Sequence, residues 1–283
     1  MGCSKEALIE TIQQKAKTLR KHAIQMTFEA GNEGGHISPA LSMMDIIATL
    51  YFGVMRIDPK NSAWKDRDRF ILSKGHSVLA YYPTLAEAGF FPMEELSSFE
   101  KTDSWFSGHP CAKHVPGIDC SSGSMGHGLS VGLGMALAGK IDHKDYDTYV
   151  MLGDGELNEG SVWEAVMAAK QYQADHLVAI VDNNGIQHDS YCKEVMDLEP
   201  LGEKWRSFGW HITEADGHDV GQLLDAFDPQ KRQHGVPHVV IAKTVKGKGV
   251  SFMENKVNFH HARLQQKQRD QAIHDIEWGM NGE

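Results

Sequence analysis

Two stretches decide the fold: Tyr149-Val150-Met151-Leu152-Gly153-Asp154-Gly155, and further on Leu177-Val178-Ala179-Ile180-Val181-Asp182-Asn183-Asn184. Each opens on a short unbroken apolar run, the mark of a strand buried on both faces. Each then stops on small and polar residues that suit a strand-to-helix turn. Between them, Glu159 to Tyr172 reads as a helix. Strand, helix and strand in that order make a unit whose two strands run parallel. In open α/β sheets, ligands gather beyond the carboxyl ends of the strands. Asp154 and Asn184, thirty residues apart, both fall at that place.

Working outward, the same alternation continues. His238-Val239-Val240-Ile241-Ala242 reads as a further buried strand, Trp210-His211-Ile212 as another, and Arg69-Phe70-Ile71-Leu72-Ser73 as an earlier one. From Lys5 to Ala30 the apolar residues Leu8, Ile12, Leu19, Ala23 and Met26 recur at roughly helical spacing. The loop Gly31-Asn32-Glu33-Gly34-Gly35-His36 follows, then a helix over Pro39 to Gly53 with its proline in a tolerated first turn. Further helices are expected from near His76, over Gly126 to Gly139, and as a fraying tail over Leu264 to Glu283. Residues 103–125, dense in Gly, Pro, Ser and His, are too long for an idle connection. The fold expected is α/β, a parallel sheet with helices on both faces, forming a single domain over residues 1–283. No internal repeat or low-complexity linker interrupts it.

Bulk properties narrow the function classes. Hydrophobic residues at 41% and charged residues at 23% are ordinary globular values. No apolar run approaches the ~20 residues that cross a bilayer, and Met1 to Glu10 lacks the apolar core of a secretory leader. A cytoplasmic protein without a membrane partner is the expectation. Net charge is −10, from 28 basic and 38 acidic residues, which argues against a nucleic-acid partner but leaves room for anionic substrates. The four cysteines, Cys3, Cys111, Cys120 and Cys192, contain no C-x-x-C pair and read as reduced thiols. A metal hydrolase would show a paired motif such as H-E-x-x-H, and none occurs.

The chemistry of the two turns is specific. A hard cation such as Mg²⁺ takes oxygen ligands and shares them with phosphates. Asp154 offers a carboxylate, Asn184 an amide oxygen and Ile186 a backbone carbonyl. Gly153 and Gly155 carry no side chain, so a diphosphate can come close to the backbone. This G-D-G…N-N pair resembles the thiamine-diphosphate signature of transketolases and their relatives. The resemblance implies thiamine diphosphate as cofactor and Mg²⁺ as its metal, with Ca²⁺ or Mn²⁺ as substitutes. Glu159 and Glu164 resemble the acidic residues that transketolases place near the dimer interface behind the cofactor, and Glu159 joins the cofactor-binding candidates.

The segment Ser122-Gly123-Ser124-Met125-Gly126-His127-Gly128 is similar to the transketolase loop beside the cofactor, which adds Gly123, Ser124 and Met125. That family usually has Gly-Pro-Leu-Gly-Gln-Gly there. The departures at Ser124, Met125 and His127 bear on substrate identity more than on cofactor binding. Lys243-Thr244-Val245-Lys246-Gly247-Lys248-Gly249 resembles the family's T-x-K-G-x-G turn and is basic enough to assist a phosphate, although its lysines equally suit a solvated turn.

Sixteen histidines are present, and four of them stand in motifs of the same family in the same order. These are Gly34-Gly35-His36, Ser73-Lys74-Gly75-His76, Gly108-His109-Pro110 and Phe259-His260-His261. Neutral imidazole both donates and accepts at a sugar hydroxyl, which suits the task. The resemblance implies that His36, His109 and His260 are catalytic, with His36 and His109 on substrate hydroxyls. His76 and His260 are placed nearer the diphosphate. Aligning Phe259 with the family's aromatic residue favours His260 over His261, and that choice stays open.

The resemblance covers residues 8–265 and corresponds only to the N-terminal, diphosphate-binding domain of a transketolase. The pyrimidine-binding and C-terminal domains are not found. The implied function is therefore one subunit of a split transketolase, active in an α2β2 heterotetramer with a partner that carries those domains. It would transfer a two-carbon glycolaldehyde unit from a ketose phosphate to an aldose. Xylulose 5-phosphate or a specialised ketose such as apulose 4-phosphate would be the donor. The alternatives are a deoxyxylulose-phosphate synthase-like or 2-oxoacid dehydrogenase-like subunit, and a noncatalytic regulatory subunit.

Overall fold

The computed structural model describes residues 4–188 and 190–280; Cys3 and the last three positions of the expected tail helix, 281–283, lie outside the described residues. Five strands form one sheet: β1 (Arg69–Leu72), β2 (Thr148–Gly153), β3 (Leu177–Asn183), β4 (His211–Asp216) and β5 (His238–Lys243). Their order is β1-β2-β3-β5-β4, and every pairing is parallel. The α-helices in chain order are α1 (Lys5–Glu29), α2 (Ile37–Ser42), α3 (Met44–Thr49), α4 (Val78–Ala88) and α5 (Gly128–Ile141). They continue as α6 (Gly160–Gln171), α7 (Cys192–Val195), α8 (Leu201–Ser207), α9 (Val220–Phe227) and α10 (Gln266–Trp278).

The apolar strand runs are explained by cover on both faces. Side chains alternate across a strand, so Tyr149, Met151, Val178 and Ile180 enter a core shared with α1, α3, α4 and α9. Val150, Leu152, Ala179 and Val181 enter a second core made with α5, α6 and α8. The connections from β2 to β3 and from β3 to β4 run through α6 and α8 on this second face. The connection from β4 to β5 runs through α9 on the first face. Such a change of side opens a crevice beyond the carboxyl ends of the strands.

The expected helix over Pro39 to Gly53 is divided. It begins at Ile37, so Pro39 is its third residue and its missing N–H costs no helical bond. At Met43 the N–H turns back to Ala40 (3.3 Å), and beyond α3 the chain closes in a π-turn over Leu50–Val54. Gly53 lies against α1, where an added Cβ would meet Ile12 Cδ1 at 2.8 Å. The strand expected at Trp210 starts one residue later and extends to Asp216, an edge strand with only partial burial. Residues 103–125 contain neither helix nor strand. Among the described residues, no helix is long and apolar enough to cross a membrane.

Candidate active site

Register sets the site. Gly153, Asp182 and Ala242 stand side by side at the ends of β2, β3 and β5. The loops that leave these strands carry Asp154, Asn184 and Lys246 to one wall of a cavity of about 320 Å³. Of the residues singled out in the sequence, His36, His76, His109, Gly123, Met125, Gly153, Asp154, Gly155, Asn184, Ile186 and His260 line it. Ser124 and Glu159 do not. Glu159 is instead the residue that precedes α6, packed against Gly126.

Beneath the cavity lies a polar network centred on Asp182. Asp182 is fully buried and accepts from Ser42 Oγ (2.5 Å), Thr244 Oγ1 and the Lys74 ammonium. Lys74, 2% exposed, also donates to the Pro39 carbonyl at 2.8 Å. Burial opposes the Asp182 charge, but Lys74 and the two hydroxyls outweigh it and hold the carboxyl below its usual range. The network ties β3, β5, α2 and the Ser73-Lys74-Gly75 turn into one floor. Gly75 is needed there, because an added Cβ would lie 2.9 Å from the Gly123 nitrogen.

The acid that braces the Gly153-Asp154-Gly155 turn is Glu156. Glu156 is 2% exposed and accepts from Ser73 Oγ, from the Gly126 N–H at 2.7 Å and from the Gly153 N–H at 3.1 Å. The short 3₁₀ turn Gly155–Asn158 swings it inward. Burial raises its carboxyl above the ordinary value.

The oxygen set at the wall fits a hard cation. Asp154 accepts from the Gly155 N–H (2.8 Å) and the Gly185 N–H (2.5 Å), which fix its two oxygens. Asn184 Oδ1 accepts from the Ile186 N–H at 3.1 Å, and the Ile186 carbonyl accepts from Lys246 Nζ at 2.8 Å. Burial, reinforced by the neighbouring Asp182 charge, pushes the Asp154 carboxyl up to about 6. A carboxylate held that way lacks balancing positive charge, and a divalent cation would supply it. Lys246, 1% exposed, is drawn down to about 8 chiefly by burial. Together with Lys74 it gives the cavity two buried cations suited to an anionic group.

The same cavity is lined by a cluster of imidazoles. His36 lies at its centre, with ring centroids 5.2 Å from His76, 6.4 Å from His109, 5.4 Å from His260 and 4.6 Å from His261. His188, unmarked in the sequence by any glycine or proline, lines the same cavity with its ring 4.8 Å from His260. Desolvation lowers His36 to about 4 and holds His76 and His260 well below their ordinary values, so these rings are neutral. His260 faces the cavity of Asp154, whereas His261 faces an adjoining one. The cluster is pinned by Gly35 and Ala262, which exchange backbone hydrogen bonds of 3.0 and 2.9 Å. Gly34 passes so close that an added Cβ would stand 2.3 Å from the Ala262 oxygen.

A family model described as transketolase, thiamine diphosphate binding domain, matches residues 11–283. The chain belongs to the transketolase family. Among its transketolase relatives is the 6-deoxy-6-sulfo-D-fructose transketolase subunit of a Clostridium species, 40% identical over 94% of this chain and 96% of that protein. An apulose-4-phosphate transketolase subunit of Phocaeicola vulgatus is 41% identical over 95% of this chain and 94% of that one. The solved transketolase of Campylobacter jejuni superposes with a TM-score of 0.88 at 27% identity. That alignment covers 95% of this chain but only 43% of the longer transketolase. The α/β parallel fold and the family resemblance expected from the sequence are thus both borne out, and the matched region is the thiamine diphosphate-binding one.

Proposed function

We propose that this chain is the diphosphate-binding subunit of a split transketolase. The observation that carries the reading is one cavity lined both by the oxygen set of Asp154, Asn184 and Ile186 and by the imidazoles of His36, His76, His109 and His260. The near-complete coverage of two relatives named as transketolase subunits supports a second polypeptide. That partner would carry the pyrimidine-binding and C-terminal domains in an α2β2 cytoplasmic enzyme, with residues 1–283 forming one diphosphate-side domain.

Thiamine diphosphate, when bound, supplies the atom that carries a two-carbon unit between sugars. The chain's own residues bind and orient. Asp154, Asn184 and the Ile186 carbonyl hold Mg²⁺, or Ca²⁺ or Mn²⁺ in its place. Lys74 and Lys246 add positive charge beside the diphosphate. Gly153, Gly155, Gly123 and Met125 shape the cavity, and His76 and His260 approach its diphosphate side. His36 and His109 donate to and accept from hydroxyls of the sugar. The donor is a ketose phosphate and the acceptor an aldose. Xylulose 5-phosphate and specialised ketoses such as apulose 4-phosphate are the candidates to assay.

The test is reconstitution. The purified chain is expected to show no two-carbon transfer by itself, and activity on a panel of ketose phosphates is expected when its partner is co-expressed. Robust turnover by the pure chain would overturn the split-subunit reading.

A further inference from the structure

Beside the cavity of Asp154 lies a second one of about 360 Å³. The two share His36, His76 and His109 as a common wall. Their charges differ. The first cavity sets Lys74 and Lys246 beside Asp154 and Glu156, whereas the second carries Glu33 and Glu100 and, among the described residues, no lysine or arginine.

Glu100 is held at the second cavity by a closed turn. Its N–H donates to the Phe106 carbonyl (2.9 Å), Ser104 N–H donates to the Lys101 carbonyl (3.1 Å), and Phe106 N–H donates to Ser104 Oγ (3.0 Å). Glu100 and Asp103 take φ values of 55° and 64°, a left-handed conformation that glycine or asparagine adopts more easily. Strained residues of this kind persist where the surroundings over-determine them, and they cluster at binding sites. The Glu100 carboxylate lies on Gly108, the residue before His109, where an added Cβ would stand 2.6 Å from Oε1. No hydrogen bond or ion pair within the described residues uses that carboxylate.

We propose that Glu100 is a specificity-determining residue of the sugar site, accepting hydrogen bonds from hydroxyls of an uncharged part of the substrate and barring phosphate or sulfonate from this cavity. A carboxylate only accepts, and a hydroxyl offered to it makes a charge-assisted bond. A phosphate in the same small cavity would bring like charge against Glu100 and Glu33, with no cation lining it to compensate. The anionic end of the sugar therefore lies elsewhere in the assembled site. The inference rests on the reading of this region as a sugar site.

The test uses the cofactor-loaded complex with its partner chain, so that the diphosphate position is already filled. Wild type should favour D-glyceraldehyde over propionaldehyde as acceptor, and Glu100→Gln, which keeps the volume, should shrink that kcat/KM ratio about tenfold, as loss of one charge-assisted bond implies. Glu100→Asp should restore part of it. Inorganic phosphate should inhibit Glu100→Lys about tenfold more strongly than wild type, where it reaches only the anionic subsite elsewhere in the assembled site. An unchanged ratio in Glu100→Gln, or equal inhibition of wild type and Glu100→Lys by phosphate, overturns the proposal. Calorimetry with erythritol separates this from failure of the functional reading. If no two-carbon transfer is found with any acceptor, erythritol heat present in wild type and lost in Glu100→Gln still supports the role of Glu100. Equal heats in both remove it.

Discussion

The two cavities that meet at His36, His76 and His109 are built by different means, and the difference separates what is rigid from what is adaptable. The first rests on strand ends, where Lys74 and Asp182, at 2% and 0% side-chain exposure, are locked in a buried network. The second is walled by loops, and its glutamates, half-buried Glu100 and exposed Glu33, sit outside any such network. A charge at the end of a central strand cannot change without a large energetic penalty, whereas a loop charge can. The region that would hold the cofactor is thus tied to the sheet, and the region that would meet the sugar is free to vary.

The largest expected effect breaks the first cavity from below. Asp182→Ala leaves the Lys74 ammonium buried without its partner, and urea titration should show a loss of about 3–5 kcal/mol. The double variant Lys74→Met with Asp182→Leu should lose less, because no lone charge stays behind. Equal losses would mean that the ion pair is not what matters there. Next, Asp154→Ala should weaken cation-dependent binding of thiamine diphosphate about a hundredfold, roughly 2.7 kcal/mol, with little change in stability. Undiminished affinity by calorimetry would sink the cation assignment.

Smaller effects probe the shared wall. His109→Ala should lower two-carbon transfer by about tenfold, the worth of one hydrogen bond, while cofactor affinity stays near normal. Parallel losses in both would move His109 from the substrate to the cofactor side. A separate lever is pH. His36 is lowered from 6.5 to about 4 in the folded chain, so the unfolded chain takes up a proton that the folded one resists. Stability is therefore present above 6.5 and lost as pH falls toward 4, which thermal melts across that range would show. His36→Gln should flatten the slope, and a slope that survives unchanged would place the acid sensitivity elsewhere.

Much of this was legible in the residues. The apolar runs of β2 and β3 read correctly because a strand covered on both faces tolerates little else, and their Gly, Asp and Asn endings marked the ligand side. Lys74 carried no signal of its own although it sits inside the Ser73-Lys74-Gly75-His76 motif, since the neighbouring histidine is the residue type that marks a sugar site. Asp182 stands at the end of an apolar strand, and nothing local shows that Ser42 and Thr244 converge on it. Glu156 and Glu159 differ by a single 3₁₀ turn, whose direction a linear pattern does not state.

By itself the sequence determined the fold class and the family, and it marked Asp154 and Asn184 at the strand ends, because these depend on period, on turn chemistry and on residues near in the chain. Only the tertiary structure decided which charges share a cavity. Lys74 meets Asp182 across 108 positions. His36 meets His260 through the bridge between Gly35 and Ala262, and Glu100 reaches its cavity through a left-handed turn. Charge and hydrogen bonding act over a few ångströms of space, and separation along the chain says little about that distance.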